Sequence, residues 1–124
     1  MSNPSEWPDP LDALQAAPHH HTLLFENEVV RVLDTRIMRG QMVPLHTHRW
    51  PSVLYILSWS DFIRRDSDGR TMVDSRLGRR RPLGSAVWSP PLPPHTLENV
   101  GESELHLLSV ELKNAGLIES ESQR

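Results

Sequence analysis

Residues 40–50, GQMVPLHTHRW, set His46 and His48 one residue apart in an apolar, extended-looking stretch. Successive side chains of a strand point to opposite faces, so positions i and i+2 share one face and both imidazoles can reach a single ion. A third histidine, His95, follows SPPLPP. Each proline there locks its own φ and presses its predecessor toward extended geometry, which presents His95 in a set place. The chain contains no cysteine. That excludes thiolate ligands, disulfides and a cysteine nucleophile, and leaves His, Asp and Glu to build any metal site. The plain alternative is a chance His-x-His on an exposed strand, and the third histidine weighs against it.

Elements are needed to hold these residues. A chain of 124 residues suits one compact domain, and 37% apolar with 23% charged residues is compatible with a globular fold carrying polar tails. Residues 1–21 contain Pro4, Pro8, Pro10 and Pro18 with little periodicity, and read as an irregular arm with one short helical turn near LDALQAA. From Thr22 the texture changes. TLLFENEVVRVLDTRIM and SVLYILSWSDFIRR are rich in β-branched and aliphatic residues with partial alternation, which argues for strands. Asp68-Gly69 lies between two strand-like runs and predicts a hairpin. GSAVWSPPLPPHTLENVGESELHLLSVELK adds a short strand, a proline-stiffened turn and two more strands. Short strands separated by regular turns predict an all-β sandwich or barrel over 22–113, with 114–124 as a flexible polar tail.

At this point the chain resembles the small single-domain cupins. Their first motif, G-x5-H-x-H-x3/4-E-x6-G, is matched in its first half by Gly40, His46 and His48; their second, G-x5-P-x-G-x2-H-x3-N, is matched by Gly84, Pro90, His95 and Asn99. The resemblance covers about Thr22 to Lys113 and implies a double-stranded β-helix, a jelly-roll barrel. The departures are informative. Where the family has its glutamate ligand this chain has Ser52, or Val53 at the longer spacing; the closing glycine of the first motif falls on Trp59 and the inner glycine of the second on Leu92. The resemblance is therefore to three-histidine cupins, with His46, His48 and His95 as the metal ligands and Ser52 facing inward at the vacated position.

Neutral imidazole suits Fe, Zn, Ni, Mn or Cu without distinguishing them. Three neutral ligands leave the ion its full double charge and open positions, an arrangement suited to an anionic small molecule such as a carboxylate or a diketone-like enolate. Trp50, Tyr55 and Trp88 are candidate pocket walls, against the ordinary reading of aromatics as core. Arg49 should turn away from His48 by strand alternation. Glu111 stands open between the interior and a subunit interface, His106 reads as a sheet-face residue, and His19, His20 and His21 read as a solvated, dispensable arm. RLGRRR is one short basic run, a solvated loop able to attract an anion.

The net charge of −3 gives no basic footprint for nucleic acid. No run approaches the ~18 apolar residues of a membrane span, and MSNPSEWPDP lacks the features of a signal peptide, so a cytoplasmic protein is expected. Two functions follow: a metal-dependent dioxygenase or related oxidoreductase acting on a small anion, or a non-catalytic metal-dependent binding or sensing module. A homodimer in which residues 1–20 pack on the neighbour is expected to cover exposed edges.

Overall fold

The computed structural model describes residues 3–113, so the tail expected over 114–124 lies outside the described residues. Nine strands follow one another: β1 (His21–Glu26), β2 (Val30–Ile37), β3 (Met42–His48), β4 (Ser52–Ser58), β5 (Phe62–Asp66), β6 (Thr71–Asp74), β7 (Ala86–Ser89), β8 (Leu92–Asn99) and β9 (Leu105–Leu112). They form two antiparallel sheets, ordered β1-β2-β9-β4-β7 and β3-β8-β5-β6. The all-β barrel expected from the strand texture is present, in the jelly-roll form that the resemblance implies. Among the described residues no helix is long and apolar enough to cross a membrane.

Alternation decides what faces inward. On β2, Arg31, Leu33, Thr35 and Ile37 are buried, and on β9 so are Leu105, Ser109 and Glu111. Ile37, Val43 and Leu105 form an apolar floor with Ala17, and Trp59, Phe62, Leu97 and Leu107 pack against it. The hairpin foreseen at Asp68-Gly69 joins β5 to β6, with the Asp66 amide donating to the Arg70 carbonyl at 2.9 Å.

Three of the motif residues have structural explanations. Gly40 and Gly84 adopt φ of +79° and +75°, a region that costs an L-residue strain and glycine nothing. Asn99 is fully buried and spends its whole amide on loop backbone and a neighbour. Its Nδ2 donates to the carbonyls of Ile37 and Ser103, and its Oδ1 accepts from Ser60 and from the Gly101 amide. It ties the β2–β3 and β8–β9 turns together.

Residues before β1 contain two 3-10 turns, Pro4–Glu6 and Asp9–Leu11, and the single-turn helix α1 (Ala13–Ala16). Asp12 caps α1 by accepting from the Leu14 amide. Contrary to the expectation that this arm lies on a neighbour, it docks on its own barrel. Trp7, Ala13 and Ala17 are buried within the one chain, Asp12 bridges Thr47 of β3, and Arg49 clamps the Trp7 carbonyl and the Asp9 carboxylate.

Candidate metal centre

His46 and His48 project from β3, and His95 of β8 sits directly across from His46 in the strand register. The His46 and His95 ring centroids are 4.2 Å apart and those of His46 and His48 5.0 Å. The structure adds a fourth ring. His21, placed with the solvated arm on sequence grounds, is 4% exposed, and its centroid lies 5.1 Å from His46 and 5.2 Å from His48. Potential ligand atoms of His21, His46 and His48 all fall within 4.8 Å of one another; His95 flanks this trio from the His46 side. The correction has a simple cause. His21 is the first residue of β1, so it takes the inward orientation of that strand, while His19 stays exposed and His20 reaches the Arg36 carbonyl.

Each of the four rings has its Nδ1 engaged by oxygen. His21 Nδ1 is 3.0 Å from the Ala17 carbonyl, His46 Nδ1 2.7 Å from that of Pro44, and His95 Nδ1 2.7 Å from that of Pro93. His48 Nδ1 lies 3.1 Å from Glu111 Oε2. A carbonyl only accepts, so Nδ1 must donate, which fixes the tautomer and leaves a lone pair on Nε2. Such an outer hydrogen bond is the usual support of a metal-ligating histidine. The prolines within β3 and β8 acquire a second role here, since the carbonyls of Pro44 and Pro93 orient the histidines two residues on.

Burial keeps three of the four rings, His21, His46 and His95, neutral. It is the leading cause of depression at His21, pushed down to about 4, and at His95, pushed down to about 3; the nearby His48 adds to both. His46 is driven well below its ordinary value by burial, then by His95 and His48. Neutral imidazole is the form that binds metal.

Behind His48 runs a buried charged chain. Glu111 is fully buried and pairs through its other oxygen with Arg31 Nε, while Arg31 forks onto both oxygens of Asp12 at 3.0 Å. Burial would raise the Glu111 carboxyl, but its bonds to His48 and Arg31 hold it below its usual range. The question left open for Glu111 is thereby answered: it faces inward and holds a histidine.

No family model matches the chain, and no curated protein matches it either. Solved structures do. A cupin domain from Bordetella pertussis is 20% identical over 75% of this chain and 91% of its own, with a TM-score of 0.62. An RmlC-like cupin with a double-stranded β-helix from Methanocaldococcus jannaschii is 16% identical over 80% and 84%, TM-score 0.55. A conserved double-stranded β-helix protein from Klebsiella pneumoniae is 14% identical over 93% and 85%, TM-score 0.53. This chain has the cupin fold.

The cupin barrel encloses a cavity of about 430 Å³, lined by His21, His46, His48 and His95. A wider groove of about 780 Å³ beside the arm contains Trp50, Pro51 and Lys113 but no histidine or carboxylate, and we assign the chemistry to the smaller cavity. Ser52 lines the cupin cavity as expected, level with Ser89 and Glu111 in the sheet register. Trp50 instead lines the outer groove, under Arg31 at 4.9 Å and Lys113 at 5.4 Å. Tyr55 is corrected outright: on β4 the inward residues are Ser52, Leu54 and Ile56, so Tyr55 lies on the outer face. Trp88 stands at the mouth, 55% exposed. His106 pairs with Asp34 at 2.6 Å as a sheet-face residue.

Among the cavity residues that escaped the sequence reading are His21 and Arg64. Strand parity held the clue to the second. Arg64 shares a face with Phe62 in DFIRRD, whereas β1 is exposed beyond His21 and offers no such pattern.

Proposed function

We propose that this chain is a small metal-dependent cupin in which His46, His48 and His95, joined by His21, hold a divalent ion that binds a small anionic metabolite, a carboxylate or diketone-like molecule. The observation that carries the reading is the four-fold engagement of Nδ1 by oxygen, which leaves the Nε2 of each ring as the candidate metal donor. Iron, zinc, nickel, manganese and copper all accept such ligands. When bound, the ion supplies Lewis acidity, and a redox metal adds dioxygenase or related oxidoreductase chemistry. The protein's share is to keep the imidazoles neutral, to orient them, and to surround the ligand with the hydroxyls of Ser52 and Ser89 and an apolar floor.

A non-catalytic binding or sensing module is the second reading, favoured by one observation. Asp74 is the single carboxylate among the described cavity-lining residues, and Arg76 grips both its oxygens, so no free general base is in place. The same proposal includes a homodimer.

Metal analysis of protein purified without added metal tests the reading, followed by oxygen uptake with a panel of small acids. Replacing His46, His48 or His95 singly by Ala is expected to strip the metal, and His21→Ala to weaken its retention. His19→Ala and His20→Ala are expected to leave it unchanged. Undiminished metal in one of the first three variants removes that residue from the site, and oxygen uptake with bound iron selects the enzyme over the sensor.

A further inference from the structure

Arg64 projects from β5 into the histidine cavity and is partly buried. Among the described residues it has no hydrogen-bond or ion-pair partner, and burial alone acts on its guanidinium, with no carboxylate to offset it. Asp66, two residues along the same strand, is committed to the hairpin, where its Oδ1 accepts from the Asp68 and Arg70 amides. Asp74 is held by Arg76. A guanidinium stays protonated in a protein and offers a rigid fork of donors, so its charge calls for an anion from outside the chain.

The placement says which anion. Arg64 pairs in register with Leu97, two residues from His95 on the same inward face of β8. Diagonal neighbours of this kind lie about 7–8 Å apart, a span that one small organic molecule can bridge. Its charge also bears on the His95 ring. Ser109, whose buried Oγ has no hydrogen-bond partner, lines the same cavity. Arg79 and Arg81 line the cavity from the exposed loop, which makes the entrance cationic as well.

We propose that Arg64 is the carboxylate anchor of this cavity: it grips one carboxylate of a small diacid or keto acid whose other oxygen donors face the histidine cluster. This deepens the metal-centred reading and rests on it. Recognition is two-pointed. A monoacid has a single carboxylate, which the doubly charged ion takes, whereas a diacid of suitable length reaches both the ion and the arginine.

The test compares wild type with Arg64→Met, both loaded with zinc, by calorimetric titration with succinate and with butyrate; metal content and thermal melting are measured on the same samples. Arg64→Met is expected to keep its zinc and to melt at the same or a higher temperature, because an uncompensated charge has been removed. It should bind succinate about ten- to a hundredfold more weakly and butyrate as before. Equal succinate binding by the two proteins overturns the anchor, as does an equal loss for butyrate. Lost zinc together with a lowered melting temperature assigns Arg64 a structural role and also overturns it. If the wild type takes up no metal, the metal reading fails on its own. In that sample Arg64-dependent succinate binding supports the anchor, and its absence overturns it.

Discussion

At His21, His46 and His95 the ring nitrogen turned from the cavity meets a backbone carbonyl, whereas at His48 it meets the Glu111 carboxylate. A carbonyl fixes a tautomer; a carboxylate in addition makes the imidazole a more basic ligand. The three carbonyl-held rings are also those that burial discourages from taking a proton, and this has a consequence for pH. Their folded pKa values are depressed, to about 4 at His21 and about 3 at His95, from an ordinary value of 6.5. Below 6.5 the unfolded chain therefore binds protons that the folded chain does not. The stability these groups contribute is fully present above pH 6.5 and is lost as the pH falls toward the folded values. Each such histidine costs up to about 1.4 kcal/mol per pH unit in that window. Melting of metal-free protein at pH 7.5 and pH 5 checks this: the melting temperature should be lower at pH 5, and His21→Ala should flatten the dependence.

Among the elements, the strands with plain alternation and the Asp68-Gly69 hairpin were legible in the sequence, because a period of two and a turn dipeptide are local properties. The pair on β3 was legible for the same reason. His95 could be reached because its prolines announce a fixed backbone. What local pattern cannot carry is partnership across the barrel. Arg31 and Glu111 read as charged residues in apolar strands, and only the β2–β9 register sets them side by side. Tyr55 was misplaced because an aromatic next to a motif does not reveal its parity until the strand's first inward residue is known. The arm was read as irregular and packed on a neighbour, yet the Asp12 carboxylate both caps α1 and receives the Arg31 fork. Arg31→Met removes the shared cation from two buried carboxylates. Loss of one member of a buried pair costs about 3–5 kcal/mol, so denaturant unfolding should show a drop of that order. A loss below 1 kcal/mol would show that the arm and β9 do not depend on Arg31.

On the scale of the whole molecule, the outer face of the five-stranded sheet carries a continuous apolar row. Phe25, Val32, Val110, Val53 and Trp88 are successive register partners across all five strands, and Phe25 and Trp88 are each more than half exposed. Such contiguous patches mark interaction sites. Since the arm is occupied on its own barrel, this row is the surface we propose for the homodimer. Light scattering at micromolar concentration should give twice the chain mass of 14.2 kDa, and Phe25→Asp should return it to the monomer; a monomeric wild type refutes the dimer.

The chain of contacts from Asp12 through Arg31 and Glu111 to His48 spans the distance between that arm and the ion's ligands. Equilibria coupled through shared contacts are reciprocal. If an anchored arm steadies His48 for the ion, an ion on His48 must steady the anchored arm by the same free energy. Residues 3–20 would then serve as a gauge: how readily they peel away would report, at the surface, whether the proposed ion is bound.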